Sequence, residues 1–336
     1  MKTRIRIATA VASLAAATSH AQSSVTLFGI VDVSARSVTN GDATVRQLGT
    51  DGFSNSRLGF RTEEDLGGGY KAGAWLEAAL NADTGTINAS GKFWHRRSTV
   101  SLYSPFGEIR VGRDLDATFW NTSIFDPFGT VGVGSGFNLQ SNLGSGAATL
   151  IRADNAISYY LPGTLGGVYG QLEVAAGEGV PGTKYTAGRL GYSNGKLNIA
   201  VAYGTTRSAT SDAFKVTNAG VSYDFGVATA MLMANTNQYA AKKLVNLELG
   251  VIVPIGVGQL RASYQRADAS GAGTDANDAH QAALGYAYYL SKRTVLFATC
   301  STITNKGAAA FAIGSPPAAV AGRTSKGYEA GLMHAF

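Results

Sequence analysis

Cysteine is almost absent from this chain. Cys300 is the only one in 336 residues, which excludes an intramolecular disulfide framework and any cysteine-built metal centre. Charge is also scarce. Asp, Glu, Lys and Arg make up 15% of the residues, against roughly 25% in ordinary soluble domains. Long apolar runs are missing too. Beyond residue 21 no stretch of about 18 apolar residues occurs, so no membrane-crossing helix is available. Proline is limited to seven positions. Pro105, Pro127, Pro162, Pro181, Pro254, Pro316 and Pro317 all fall in turn-like stretches or at the end of an alternating segment, where a missing amide donor costs little.

What the chain does have is glycine, 43 residues without any collagen-like period, and alternation. The last segment is Gly327-Tyr328-Glu329-Ala330-Gly331-Leu332-Met333-His334-Ala335-Phe336. Tyr328, Ala330, Leu332, His334 and Phe336 fall on one face at period 2. A terminal apolar strand needs partners on both edges, and a closed barrel supplies them by pairing its last strand with its first. Near the start, Arg57-Leu58-Gly59-Phe60-Arg61-Thr62-Glu63 puts Leu58, Phe60 and Thr62 on one face and Arg57, Arg61 and Glu63 on the other. Apolar outside with charge inside is the polarity of a barrel in lipid with water in its lumen. In lipid only helices and closed barrels satisfy their backbone polar groups. With no helix available, the chain reads as all-β, a transmembrane antiparallel β-barrel.

The N-terminus reads as an export signal. Lys2, Arg4 and Arg6 precede an apolar stretch, Ile7 to Ala17, and Ser19-His20-Ala21 is a small-x-small cleavage site. Residues 1–21 are therefore expected to be a signal peptide and residues 22–336 a single barrel domain. The signal holds three of the 28 basic residues and no acid, which leaves 25 bases against 22 acids in the mature chain. So small an excess is no footprint for nucleic acid.

Seven short turns punctuate the alternating segments, near 65–69, 104–107, 162–167, 193–196, 224–226, 254–258 and 291–293. Glycine, proline and Asn-Gly supply the backbone angles of tight hairpins there. Eight longer polar stretches lie between them, near 37–54, 81–92, 114–150, 177–183, 204–213, 235–242, 267–278 and 302–325. Fifteen connections predict sixteen strands, with short turns at one end and long loops at the other. Tyr159, Tyr192, Tyr203, Tyr223, Tyr264 and Tyr288 sit near segment ends, where aromatic girdles belong.

Several motifs in order carry a family resemblance across the mature chain: Ser24-Val25-Thr26-Leu27-Phe28-Gly29, Ser56-Arg57-Leu58-Gly59-Phe60, Glu64-Asp65-Leu66-Gly67, Phe106-Gly107-Glu108-Ile109-Arg110-Val111-Gly112-Arg113, Leu290-Ser291-Lys292-Arg293-Thr294 and the ending Gly331 to Phe336. With these the chain resembles the Gram-negative general porins of the β-proteobacterial type. The resemblance implies a homotrimer of sixteen-stranded barrels in the cell outer membrane. Each is an aqueous diffusion channel for ions and small hydrophilic solutes, narrowed by an inward-folded third loop. It also implies contact with outer-membrane lipid and lipopolysaccharide, recognition of Phe336 by the barrel-insertion machinery, and no cofactor.

The stretch 114–150 is the longest loop, and a long loop in a compact fold is usually functional. It contains Asp114, Asp116 and Asp126. Where the family often has Pro-Glu-Phe-Gly, this chain has Asp126-Pro127-Phe128-Gly129, with the acid one residue earlier. Facing that loop the resemblance places a ladder of arginines. Arg57 and Arg152 match two of its rungs, and Arg96 matches the one between them. Apolar alternation at Ser98, Val100 and Leu102 turns Arg97 inward instead, so both remain candidates. Arg113 is a further one. Arginine stays charged at any relevant pH, and charged rings set ion preference in channels. A mild anion preference is expected.

An outer-membrane hydrolase is the rival from another class. His95, His280 and His334 are the histidines beyond the signal, and no His-Glu-x-x-His or Walker lysine motif occurs. His334 shares the lipid-facing parity of the last strand. The chain reads as a channel and not as an enzyme. A soluble β-sandwich is disfavoured by the charges on the inner face.

Overall fold

The computed structural model describes residues 24–87, 91–210, 212–314 and 316–336. The expected signal peptide, residues 1–21, lies outside them. β1 (Ser24–Asn40) turns into a short excursion, β2 (Ala43–Thr50), before β3 (Arg57–Gly67) and β4 (Tyr70–Asn81). A two-residue strand, β5 (Thr86–Ile87), precedes β6 (Arg97–Ser104) and β7 (Gly107–Leu115). The third loop contains a helix, α1 (Ala117–Ile124), and a 3-10 turn at Gly136–Leu139. The rest is strand after strand: β8 (Arg152–Tyr160), β9 (Val168–Ala175), β10 (Tyr185–Ser193), β11 (Leu197–Arg207), β12 (Ala213–Asp224), β13 (Thr229–Tyr239), β14 (Lys242–Ile255), β15 (Gly258–Ser270), β16 (Ala279–Tyr289), β17 (Thr294–Asn305) and β18 (Ser325–Ala335).

Neighbours in sequence pair antiparallel, and β18 returns to β1 with Ile30 opposite Ala335 and Asn40 opposite Ser325. Gly29 and Phe336 exchange both backbone hydrogen bonds, at 3.2 and 3.0 Å, at the closing seam. β2 pairs with the outer half of β1, and β3 with its inner half, Ser24 opposite Glu63. β5 pairs only with the end of β4. Neither β2 nor β5 runs the wall, so the eighteen segments make a closed barrel of sixteen strands, as the turn count predicts.

Two connections differ from expectation. The polar stretch 235–242 is mostly strand, with only Ala240 and Ala241 joining β13 to β14. The stretch 37–54 is largely the β1–β2 hairpin. Loop composition misleads here because inward residues are polar. Asn235 and Asn237 are buried, and they hydrogen-bond Gln140 of the third loop at 3.0 Å each.

Parity alternates along the wall, with register shifts between β3 and β4 and between β7 and β8. On β9 Gln171 and Glu173 are buried inside while Leu172 and Val174 are exposed outside. On β17 Val295, Phe297, Thr299 and Ser301 face in, and Leu296 faces out. The exposed outer face is thus an apolar belt, which a membrane covers at no polar cost. The main packed core lies between the third loop and the inner wall. Val133 and Leu139 of that loop pack with Val38, Leu244, Ile303 and Ile313, and Phe125 packs with Ala200 and Met233.

Candidate functional site

The third loop enters the barrel because its own residues start a helix and the wall holds it. Asp116 caps α1 by accepting from the Phe119 amide at 2.7 Å and the Thr118 hydroxyl at 2.9 Å, as N-cap carboxylates do. Phe125 fills the space above Gly220, where a Cβ would stand 2.0 Å from its ring, and Pro127 sits over Gly250, where a Cβ would stand 2.2 Å away. Only glycine permits these two close approaches.

Wall side chains then bind the loop backbone. Asn218 donates to the Thr118 carbonyl at 2.9 Å, Asn237 to Ser141 at 2.7 Å and Asn246 to Leu139 at 3.2 Å. Gln281 reaches the Gly134 and Ser135 carbonyls at 3.1 and 3.0 Å. Glu329 accepts from the Val133 amide at 2.9 Å. All these partners come from β12 to β18. β9 and β10 add two more: Glu173 accepts from the Ala117 amide at 3.0 Å, and the Tyr185 hydroxyl lies 3.1 Å from that of Thr118. The loop is thus fastened from β9 round to β18, and the passage runs between its tip and the segments that carry Arg57, Arg96 and Arg152.

A cavity of about 510 Å³ marks the narrow level. Arg57, Arg96 and Arg152 line one side of it, and the loop tip from Asp126 to Val131 lines the other. Arg57 lies 3.4 Å from the Glu77 carboxylate, and Arg96 bonds the same carboxylate. Arg152 donates to the Arg96 carbonyl at 2.7 Å. Among the described residues it has no carboxylate within ion-pair distance. Its charge is therefore free to act on the passage.

Arg97 faces the lumen as alternation predicts, sharing parity with buried Thr99 and Ser101. It stands outside the narrow cavity. Its guanidinium lies 4.3 Å from the Trp75 ring centre and 3.5 Å from Asp114. Arg96 precedes β6, so the two arginines serve different levels and the two expectations do not compete. Arg113 is a correction. It sits at a register shift between β7 and β8, shares parity with outward Ile109 and Val111, and pairs with Asp154 at 2.7 Å. Its own alternation on β7 points it away from the passage.

The three acids also need correction as pore-facing charges. Asp114 is buried between Arg110, at 2.6 Å, and Arg97. Asp116 is fully buried in the cap of α1, and burial pushes its carboxyl up to about 6. Asp126 lines the cavity, but its oxygens accept from the amides of Phe128 at 2.7 Å, Thr130 at 2.8 Å and Gly136 at 2.8 Å. It shapes the tip as much as it charges it. Burial pushes its carboxyl up as well. In the second loop, burial, with the neighbouring cations Arg113 and Arg152, pushes the His95 imidazole down to about 4. It is neutral at pH 7 and adds nothing to the positive wall.

Two lining or supporting residues escaped the sequence reading. Glu77 holds Arg57 and Arg96 in place. Its inward parity with Trp75 was the available signal. Arg261 of β15 lies between the rings of Phe53 and Phe128, at 4.3 and 5.3 Å from their centres, and donates to the Pro127 carbonyl at 3.3 Å. It alternates with Ser263 and Gln265, which marks it as inward but not as reaching the loop tip. Gly191-Tyr192-Ser193-Asn194-Gly195 has the spacing of a hydrolase nucleophile elbow. It runs from β10 into the β10–β11 hairpin, strand to strand, where an elbow needs a strand-to-helix turn.

A closed barrel with an apolar belt, a polar lumen and a loop-narrowed passage defines a water-filled membrane channel. Residues 8–308 match the Gram-negative porin family, and the chain belongs to it. Outer membrane porin protein 32 of Delftia acidovorans is 38% identical over 100% of this chain and 99% of its own length. An outer membrane porin protein of Bordetella pertussis is 28% identical over 91% of this chain and 95% of its own. Among solved structures, the anion-selective porin from Comamonas acidovorans superposes with a TM-score of 0.85 at 36% identity, covering 94% of this chain and 100% of that one. The protein is an outer-membrane porin, a channel for passive diffusion of ions and small hydrophilic solutes.

Proposed function

We propose that the channel prefers anions mildly, and that Arg57, Arg96 and Arg152 produce the preference with Arg261 in support. The observation that carries this reading is the local charge at the narrow level. Four guanidinium groups stand there against the carboxylates of Glu77 and Asp126. Charges this close act across a few ångströms, whereas loop charges beyond about 8 Å are screened at physiological salt. The similarity to an anion-selective porin points the same way. The reversal potential of the purified protein in a potassium chloride gradient tests it. The expected sign is that of chloride permeating faster than potassium, and the opposite sign would refute the reading.

We also propose a homotrimer that meets its copies through the early strands. Ala72, Ala74 and Ala78 share the outward parity of β4; Ala72 and Ala74 are open to close approach, whereas Ala78 is covered within the chain. Trp94 meets outward Phe60 edge-on, and Phe93 meets Trp94 in the same way and stays exposed. Light scattering in detergent should give three times the chain mass, and a monomer mass would count against the assembly.

Recognition by the barrel-insertion machinery is assigned to Phe336, with lipopolysaccharide and outer-membrane lipid around the apolar belt. Deleting Phe336 removes both of its backbone hydrogen bonds with Gly29 at the seam. The expected result is a lower outer-membrane yield with unchanged export, measured by fractionation. Normal insertion of the deletion would contradict it. The segment 1–21 is proposed as the signal that directs export.

A further inference from the structure

The narrow passage is charged on one side only. Facing the arginines, Trp120 and Ile124 of α1 line the same cavity, and Met231 and Ile252 extend its apolar lining onto β13 and β14. At other inward positions those two strands carry Asn235, Asn237, Asn246 and Glu248, together with Met233 and Leu244, which are buried under the third loop. The polar lumen pattern is interrupted at the level of the constriction. Packing of the loop accounts for this only in part, through Ile124, which packs against Phe125 and Met233. Phe125 and Pro127 do that work and are buried, while Trp120, Ile124, Met231 and Ile252 remain partly open.

An arginine wall facing an apolar, partly aromatic wall offers little to chloride beyond the charge. It suits a solute with an anionic end and a flat apolar body. Arg152, with no carboxylate partner among the described residues, can take a carboxylate in the two-pronged geometry that guanidinium groups favour. Trp120 is the aromatic residue of α1 that lines the cavity while remaining partly open, and the Arg189 guanidinium lies 5.9 Å from its ring centre. Aromatic contact of this kind adds to simple burial.

We propose that the constriction is a binding site for aromatic monocarboxylates, with the carboxylate on Arg57, Arg96 and Arg152 and the ring against Trp120 and Ile124. This rests on the anion-preferring reading above and names a solute class for it.

The test uses the purified full-length protein in planar bilayers carrying a chloride current. Potassium benzoate and potassium acetate are titrated separately at matched ionic strength, and the concentration that halves the current is read for each. Benzoate should act at a concentration at least about ten-fold lower than acetate. Trp120→Ala should bring the two concentrations together, and Trp120→Phe should keep them apart, which a purely structural role would not do. Equal concentrations for benzoate and acetate in the unmodified protein would overturn the aromatic site. If that protein still reverses as an anion channel, the broader reading survives. If it reverses as a cation channel, the broader reading falls with it. Should Trp120→Ala insert poorly, Ile124→Asn is read in the same way, and the comparison in the unmodified protein decides by itself.

Discussion

Replacing Arg57, Arg96 and Arg152 together by alanine, with Glu77→Gln in the same chain, is expected to abolish the anion preference. The chloride-to-potassium permeability ratio should fall to about one. A unit charge acts on an ion 4 Å away with about 1 kcal/mol in bulk water and more where water is excluded, and about 1.36 kcal/mol is a factor of ten. Three guanidinium charges leave a cavity of about 510 Å³ and the Glu77 charge leaves with them, a net loss of two positive charges, which is enough to cancel a mild preference even with strong screening. The fourth change is needed because Glu77 is buried and both Arg57 and Arg96 partner it. Leaving it as an unpaired buried charge would cost about 3–5 kcal/mol and confuse lost selectivity with lost folding. Conductance should rise as well, since three long side chains leave the passage. The measurement is the reversal potential in a salt gradient together with single-channel conductance. An unchanged reversal potential would show that these arginines do not set selectivity.

Asp126→Ala is expected to loosen the third loop without opening the barrel. The Asp126 carboxylate accepts three backbone amides, those of Phe128, Thr130 and Gly136. Each amide left without an acceptor costs about 1–3 kcal/mol if it stays buried. The loop can escape that cost only by moving its tip into the water of the lumen. The strand ladders are untouched, so the barrel should remain heat-resistant and correctly inserted. The expected signature is a higher mean conductance with greater open-channel noise, reflecting a mobile tip. Asp126→Asn, which keeps an acceptor oxygen, should lie between the two. Single-channel recording checks this, and a quiet, unchanged conductance in Asp126→Ala would mean that the wall contacts of Asn218, Asn246 and Gln281 suffice to hold the loop.

The two substitutions separate charge from shape. Arg152 acts on the passage as a charge with no acidic partner among the described residues. Asp126 acts chiefly through the conformation it imposes on Pro127 to Gly136. The wall residues that fasten the loop are neutral amides for the most part, so salt should modulate selectivity more than it modulates the size of the opening.

Alternation by itself determined the architecture. Side chains on a strand point alternately to its two faces whatever the rest of the chain does. Leu58 and Phe60 against Arg57 and Arg61 therefore define an apolar outside and a polar inside before any fold is known. Turn chemistry is equally local, and it sufficed for sixteen strands and a seam between the N-terminal and C-terminal strands. Local composition fails where a polar strand face looks like a loop, as at Asn235 and Asn237, because lumen residues and loop residues obey the same preference for water.

Only the tertiary structure decided which charges meet. Arg57, Arg96, Arg152 and Arg261 come from strands far apart in the chain, and their heights depend on how neighbouring strands are staggered around the barrel. Arg113 faces away in step with Ile109 and Val111, but its pairing with Asp154 follows from the fold and not from the spacing. The fate of Asp114, Asp116 and Asp126 depends on partners that the sequence spacing does not show. One is held between arginines, one caps a helix and one gathers three amides of its own loop. Parity is a property of each strand alone, whereas register and loop placement are properties of the closed barrel. For that reason the inner face could be read from the sequence and the constriction could not.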